Sequence, residues 1–351
     1  MTPLKIGFIG AGKQAQSVHL PSYASIENCQ IAGIADLDAD LAARVAARYG
    51  VPHYGTHQEL LTKEKPDAVV VTLPPLRATE SLIFDVLDAR VPLIVEKPLA
   101  WTIPAAERIC ARQRRTGTPL LVGYHKRSDP ATMYAKTEIE KYRASGELGA
   151  LRYARVHVAL GGDWTANAYR GTLTGKRVMQ REALPADEFR GMSEAARLKF
   201  EMFTGTHSHQ LDLMHHLIGP YRIAHVDPSG VLLVVTGENG LPGVFEFKPY
   251  TSTKDWRENA FVAFERGYVQ IDLPAPLAIN RAGTVEVFRD LGGESTPITI
   301  RPVLPAVSAM TSQARNFIRF LSGESTPLCS ASEALAALVT AREWAMAPAF
   351  S

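Results

Sequence analysis

The chain has 351 residues, of which 46% are apolar and 21% charged, which excludes a disordered protein and predicts two domains. A formal charge of +2 with no long basic cluster argues against a nucleic-acid partner, and no apolar run approaches the roughly 20 residues of a membrane span. Three widely spaced cysteines, and a first strand that begins close to Met1, predict a cytoplasmic protein.

The chain opens with an apolar run at 4–9 that is typical of a strand buried on both faces. The pattern G-x-G-x-x-A follows at once and leads into a helical pattern. Gly10 permits a tight turn, Gly12 leaves room for a pyrophosphate, and Ala15 lets the helix pack on the strand. The run therefore predicts a dinucleotide site. Its expected contacts at this turn are Gly10, Gly12, Lys13, Gln14 and Ala15.

A second apolar run, at 30–35, ends in Asp36, about 20 residues beyond the glycines. A carboxylate at this strand end accepts hydrogen bonds from the ribose hydroxyls of NAD and repels the 2′-phosphate of NADP. We therefore expect NAD as the cofactor, with NADP less favoured. The alternative role for Asp36 is the N-cap of the following helix, for which Asp38 is also available.

Short apolar runs alternate with helical patterns through the rest of the first third of the chain. Pro21 is expected to end the first helix, because proline cannot continue it. Strands are predicted at 67–72, 93–95 and 120–123, and helices at 37–49, 58–62, 79–89 and 104–115. This alternation predicts an α/β fold with an N-terminal Rossmann domain, a doubly wound parallel sheet, over residues 1–123.

The pattern changes after Gly123. Helices are predicted at 132–145, 193–203, 209–217, 308–321 and 332–346, and strands at 151–160, 231–236, 243–249, 259–265, 268–273 and 284–288. Residues 124–351 should form a substrate-binding and oligomerisation α+β domain with an open, mainly antiparallel sheet. Its C-terminal helices are candidates for packing back on the first domain. Consecutive apolar residues in two of these strands predict that both sheet faces avoid water, and hence a homodimer or homotetramer.

Motifs along nearly the whole chain resemble one family, the glucose–fructose oxidoreductase / inositol dehydrogenase (Gfo/Idh/MocA) oxidoreductases. The most specific motif is Glu96-Lys97-Pro98, directly after the fourth strand. The others are the glycine turn with His19-Leu20-Pro21, Asp36, Thr72-Leu73-Pro74, the stretch 122–130, Gly146-Glu147-Leu148-Gly149, His209-x-x-Asp212, Asn316-Phe317 and Pro327.

Lys97 lies at the carboxyl end of a predicted strand, where ligands bind in doubly wound sheets. A lysine partly desolvated beside a cofactor can exchange protons near neutral pH, because its pKa falls. The alternative is a surface lysine paired with Glu96. The resemblance implies that Lys97 contacts the substrate hydroxyl, and that Thr72, Pro74 and Glu96 line the cofactor site.

His209 and Asp212 lie three apart and so share one face of a predicted helix. The family pattern is Asp-x-x-x-His-x-x-Asp, which implies that His209 polarises or deprotonates the reacting hydroxyl. Gly205 stands where the first Asp of the pattern is expected. The further candidates for substrate contact are Tyr124, Arg127, Asp163, Trp164, Arg170, His207 and Asp212. Helical spacing supports only part of a metal site among the histidines, and we expect no metal.

The expected function is that of an NAD-dependent dehydrogenase, an enzyme that moves a hydride between nicotinamide and a secondary alcohol of a sugar, sugar derivative or cyclic polyol. Lys97 and His209 would handle the hydroxyl proton, while Asp212 and Arg127 orient hydroxyls. Two alternatives stay open. One is an NAD-assisted glycosidase or eliminase without net redox change, and the other is a non-catalytic scaffold that senses NAD(H) or a sugar. The long charged stretch 170–199 suggests a lid or an oligomer contact.

Overall fold

The computed structural model describes residues 2–161, 168–169, 171–176, 184 and 186–350. The chain divides into two compact units. The first comprises 1–124, 168–192 and 310–338, and the second comprises 125–167, 193–309 and 339–351. A domain boundary at residue 123 stays a prediction. None of the helices in the described ranges is long and apolar enough to cross a membrane.

The first unit is built on a seven-stranded sheet. Numbered along the whole chain, its strands are β1 (Leu4–Ile9), β2 (Cys29–Ala35), β3 (His53–Tyr54), β4 (Ala68–Val71), β5 (Leu93–Val95), β6 (Leu120–Val122) and β15 (Cys329–Ser330). The order is β15-β6-β5-β4-β1-β2-β3, with β1 to β6 parallel and β15 antiparallel to β6. Residues of β1 and β4 are almost wholly buried, as expected for parallel strands covered on both faces.

Helices alternate with these strands. They are α1 (Leu20–Ala24), α2 (Ala39–Tyr49), α3 (His57–Glu64), α4 (Arg77–Asp88), α5 (Ile103–Thr116), α8 (Ala309–Leu321) and α9 (Ala331–Ala345). The last of these, α9, extends beyond Leu338, where the first unit ends. The order of strands and the alternation with helices confirm the predicted Rossmann-type fold. Each of the helices α2 and α5 begins just beyond the carboxyl end of a parallel strand, so the helix N-termini gather at that edge of the sheet.

The predicted end of the first helix at Pro21 is wrong. A π-helical turn at Ala15–His19 continues directly into α1, which contains Pro21 in its first turn. Pro21 has no N–H and so donates none of the backbone hydrogen bonds that continue this stretch, yet the chain stays helical to Ala24. The wider π turn, in which the Leu20 N–H donates to the Ala15 carbonyl, provides the adjustment before the proline.

The second unit is built on an eight-stranded sheet. Its strands are β7 (Leu151–Ala159), β8 (Tyr221–Val226), β9 (Leu232–Gly237), β10 (Pro242–Phe247), β11 (Arg257–Phe264), β12 (Gly267–Leu273), β13 (Thr284–Arg289) and β14 (Ile298–Ile300). The order is β14-β13-β12-β11-β7-β10-β9-β8, and all pairs are antiparallel except β10 with β7. Two helices, α6 (Pro130–Ser145) and α7 (Glu194–Ile218), pack on it. The predicted open, mainly antiparallel sheet is confirmed.

The two helices predicted at 193–203 and 209–217 are one helix, α7, of 25 residues. Gly205 lies inside it, and an interior glycine disfavours a helix by about 1 kcal/mol relative to alanine. Phe203 and Thr204 are fully buried beside that glycine. Burial of the helix in the unit therefore outweighs the weak local propensity that suggested a break.

The two faces of the second sheet differ in exposure. Along β10 and β11, alternate side chains are buried, and those between them are half-exposed. The outer face includes Val234, Val244 and Phe261, none of which is fully buried. Phe261 is part of a row of aromatic side chains, since its ring centroid lies 5.1 Å from that of Tyr268. This face thus carries apolar side chains that the single chain leaves half-exposed.

We expect a second copy of the chain to cover this outer face, giving a homodimer or homotetramer. The double substitution Val244→Glu and Phe261→Lys should produce monomers at micromolar concentration, because it places charges in the centre of the contact. Light scattering after size exclusion measures this. Leu291→Lys is the control, since Leu291 is 41% exposed and lies outside the sheet. A monomeric parent chain would contradict the expectation.

Candidate active site

The glycine turn after β1 is shaped by the close approach of β4. Gly10 has φ +103°, and a Cβ atom there would lie 2.7 Å from Thr72 Oγ1. The Thr72 hydroxyl donates to the Gly10 carbonyl at 2.9 Å, which fixes the turn. At Gly12, by contrast, no atom of the described residues beyond its chain neighbours lies within 4 Å of a Cβ position, so the backbone there faces open space. This arrangement suits a pyrophosphate that must approach the backbone.

Asp36 lies at the end of β2, beside that turn. Its carboxylate accepts hydrogen bonds from the Ala11 N–H at 2.7 Å and the Asp38 N–H at 2.8 Å. Asp38 takes the N-cap role, because its side chain accepts from the Leu41 N–H at 3.1 Å. Hydrogen bonds from the backbone of Leu41 and Lys176 lower the pKa of Asp38. Asp36 is therefore left half-buried at the strand end with its orientation fixed.

Glu96 organises the residues that follow β5. His19 Nε2 lies 2.5 Å from Glu96 Oε1, Gln14 Nε2 lies 3.5 Å from the same oxygen, and the Lys97 N–H donates to Oε2 at 3.2 Å. Burial alone would raise the pKa of Glu96, but the hydrogen bond and charge of His19, with Lys97, lower it below its ordinary value. Glu96 is thus an ionised anchor, and Lys97 is half-buried next to it.

The remaining predicted contacts of the first unit vary in exposure. Lys13 and Pro74 are exposed, Ala15 is buried against the core, and Tyr124 is buried. Three predicted substrate contacts, Asp163, Trp164 and Arg170, lie outside the described residues. Their role stays a prediction.

In the second unit, α7 places two of the predicted residues in different surroundings. His209 lies against His125, with ring centroids 4.6 Å apart. His207 packs instead between the aromatic rings of Phe203 and Phe247, at 5.2 and 4.7 Å. Two positions apart on a helix, the imidazoles of His207 and His209 cannot share one face.

Arg127 and Asp212 are brought together by the fold. The guanidinium donates from Nε and Nη2 to both carboxylate oxygens, with Nη2 2.7 Å from Oδ1, and the two side chains are 3% and 1% exposed. A bidentate pair this deeply buried positions the 3₁₀ turn at His125–Ser128 against α7. The proposed contacts of Arg127 and Asp212 with substrate hydroxyls stay a prediction.

A second buried array was not among the predicted site residues. The Lys126 ammonium pairs with Glu258, which also accepts from Gln210 Nε2 at 2.6 Å. Asp129 caps α6 through the Ala131 N–H. The sequence signal was the run of charged residues directly after β6, but their partners lie far along the chain. Among the described residues, no group of three or more His, Cys, Asp or Glu side chains could hold a metal ion.

Comparison with known proteins identifies the family. The model of the Gfo/Idh/MocA family, described as an oxidoreductase family with an NAD-binding Rossmann fold, matches residues 4–124. The match covers about a third of the chain. The resemblance inferred from the Glu96-Lys97-Pro98 motif and the glycine turn is therefore confirmed.

The curated relatives are similar to part of the chain. It is 32% identical over 146 residues to a 4-carboxy-2-hydroxymuconate-6-semialdehyde dehydrogenase of Sphingobium sp., covering 41% of this chain and 44% of that protein. It is 27% identical over 209 residues to an inositol 2-dehydrogenase of Rubrobacter xylanophilus, covering 56% and 57%. The chain thus spans about half the length of these relatives.

Similarity of fold extends over the whole chain. A solved UDP-N-acetylglucosamine 3-dehydrogenase of Acidithiobacillus ferrooxidans superposes with a TM-score of 0.68 at 19% identity, covering 99% of this chain and 100% of that one. At this identity the likeness shows the fold alone. Other solved proteins of this fold were crystallised with NAD+ or with NADP, so the fold accepts either cofactor.

The buried Asp129 should make stability depend on pH. Burial raises the pKa of Asp129 from 3.8 to about 6, against the hydrogen bonds from Ala131 and Gly283. Asp129 binds its proton more tightly in the folded chain than in the unfolded chain, so protonation stabilises the fold. This contribution to the free energy of unfolding is fully present below about pH 4 and is lost as pH rises through about 6. Asp129→Asn keeps the cap acceptor and removes this loss, so its stability relative to the parent should rise by up to about 3 kcal/mol across that range.

Urea unfolding at pH 4, 5, 6 and 7 measures this difference. Asp272→Asn is the control, since Asp272 is exposed on β12. A constant difference between the parent and Asp129→Asn at all four pH values would contradict the expectation.

Proposed function

We propose that this protein is an NAD-dependent oxidoreductase that transfers a hydride between nicotinamide and a secondary alcohol of a sugar, a sugar derivative or a cyclic polyol. The observation that carries the proposal is the glycine turn, with open space at Gly12 and the fixed carboxylate of Asp36 beside it. This strand, turn and helix lie in residues 4–124, which match a family of oxidoreductases. The match favours a redox enzyme over a protein that only binds nucleotides.

The residues of the first unit fit a dinucleotide. Gly10 and Gly12 would hold the pyrophosphate against the backbone N–H groups that begin the first helix, and Asp36 would accept from the ribose hydroxyls. Bound NAD would supply a hydride acceptor at nicotinamide C4. Because Asp36 is anionic, the ribose with a free 2′-hydroxyl is the preferred ligand.

Lys97 is the proposed acid–base group. It follows β5 at the carboxyl edge of the sheet, and its own N–H is bound to the ionised Glu96, which fixes the chain there. The Lys97 amine would take the hydroxyl proton as the alcohol carbon loses its hydride, so that the substrate leaves as a ketone. In the reverse direction the ammonium returns the proton to the new hydroxyl.

The substrate class is inferred from chemistry and from relatives. Removal of hydride from a carbon that bears a hydroxyl needs only orientation and one proton acceptor from the protein. An inositol dehydrogenase and a nucleotide-sugar dehydrogenase among the similar proteins favour a polyhydroxylated substrate. His209, with Gly205 one turn before it, is proposed as an assisting group of smaller effect.

Cofactor preference should follow the charge of Asp36. We expect NAD to bind at least tenfold more tightly than NADP, a difference of about 1.4 kcal/mol, because the 2′-phosphate would face a carboxylate. Asp36→Asn should reduce the ratio of the NAD affinity to the NADP affinity. Calorimetry with both cofactors measures it, and Asp40→Asn, an exposed neighbour in the first turn of α2, is the charge-matched control. Equal affinities in the parent would remove Asp36 from the ribose site.

Turnover should depend on Lys97 more than on His209. With a panel of sugars and polyols plus NAD, absorbance of NADH reports activity. Lys97→Ala should lose most of the turnover on the substrate found, and His209→Ala should lose less, while both still bind NAD. Lys63→Ala is the control, since Lys63 is an exposed lysine of α3.

Two results would oppose the mechanism. Full turnover in Lys97→Ala would exclude Lys97 as the acid–base group. NAD binding with no NADH formed from any member of the panel would favour a sensing scaffold, the role suggested by Gly205 in place of an acid.

A further inference from the structure

A short segment of the charged stretch, residues 171–176, packs in the first unit along α2. The Arg44 guanidinium donates to the Thr174 carbonyl at 2.9 Å, and Arg48 donates to the Gly171 carbonyl. Leu173 packs against the hydrophobic core that also contains Ala11 and Ala15 of the glycine turn. The segment therefore runs along α2 toward its N-cap, at the carboxyl edge of the sheet.

Gln16 joins this segment to the glycine turn. Its side chain is 2% exposed and pairs with the main chain of Leu173 as a neighbouring strand would. Gln16 Nε2 donates to the Leu173 carbonyl at 3.0 Å, and Gln16 Oε1 accepts from the Leu173 N–H at 2.7 Å. The same amide nitrogen donates to the Ala11 carbonyl at 2.7 Å. One buried amide thus holds both the segment and the turn.

The far end of the segment, at Lys176, is linked to Asp36 through Asp38. The Lys176 N–H donates to Asp38 Oδ2 at 2.5 Å, and the Asp38 N–H donates to Asp36 Oδ1. The other oxygen of Asp36 accepts from the Ala11 N–H. These hydrogen bonds link Asp36, Ala11, Gln16 and Leu173 on one side and Lys176, Asp38 and Asp36 on the other. The main chain from Leu173 to Lys176 closes the loop, which we call the Asp36 circuit.

We propose that residues 171–176 are part of the adenosine end of the cofactor site, and that Gln16 is a positioning residue which orients Asp36 toward the ribose. The proposal rests on the proposed NAD binding. Within the described residues, each carboxylate oxygen of Asp36 accepts one hydrogen bond of the circuit, and a carboxylate oxygen can accept a second. Two further acceptor positions would suit the two adjacent hydroxyls of a ribose, and a fixed carboxylate loses less entropy when it binds them.

Two variants break the circuit at different points. Gln16→Met keeps the volume of the side chain but removes its hydrogen bonds to Ala11 and Leu173. Gly175→Ala leaves the turn untouched and forces the segment away from α2, because a Cβ there would lie 2.5 Å from Asp38 Oδ2 and 2.7 Å from Leu41 Cδ2.

Each variant has a matched control in the same unit. Gln313→Met replaces another buried glutamine, on α8, and Gly55→Ala adds a Cβ with only one contact, at 3.8 Å. AMP and nicotinamide mononucleotide probe the two ends of the site separately, and NADH probes the whole. Calorimetry gives the affinities, and the melting temperature of every variant is measured alongside.

The expected result is a loss of about tenfold in the affinity of both test variants for AMP and NADH, with less than a twofold change for nicotinamide mononucleotide. The two controls should bind all three ligands as the parent does. If Gln16→Met and Gly175→Ala bound AMP as tightly as the parent does, the inference would be overturned while the proposed function would stand. The same would follow if both variants lost affinity for AMP and for nicotinamide mononucleotide by equal factors. A parent chain that binds neither NADH nor AMP would overturn the proposed function together with the inference.

Discussion

The first unit depends on the close packing of β1 and β4 at the glycine turn. A side chain at position 10 would collide with the Thr72 hydroxyl, and that hydroxyl is itself needed to hold the Gly10 carbonyl. The same turn places the Ala11 N–H where it donates to Asp36, and the Ala11 carbonyl where it accepts from Gln16. Cofactor geometry and strand packing are therefore one constraint, because the atoms that close the sheet also shape the ligand site.

The elements that the sequence specifies most directly are those with local signals. Parallel strands buried on both faces are short apolar runs, so β1, β2, β4, β5 and β6 could all be predicted within a few residues. Two-residue strands such as β3 and β15 carry no such pattern. The continuity of α7 through Gly205 and of the first helix through Pro21 depends on burial and on a π turn, and neither is visible in local propensity.

The site divides in the same way. The glycine turn, Asp36 and Lys97 could be predicted because a short motif places them at the ends of strands. The partners of the buried charges could not. Arg127 meets Asp212 across 85 positions, and Lys126 meets Glu258 across 132. Such pairs are set by topology, and charges that are buried without a partner would be strongly destabilising.

The antiparallel strand β15 has a consequence for biosynthesis. Cys329 pairs with Val122, so β6 is synthesised about 200 residues before the strand that covers its edge. At usual rates of synthesis this is roughly 10–40 s. During that interval β6 presents unpaired backbone groups and an apolar surface, a condition that favours association between nascent chains. Chaperone demand should accordingly fall once Cys329 and Ser330 have left the ribosome.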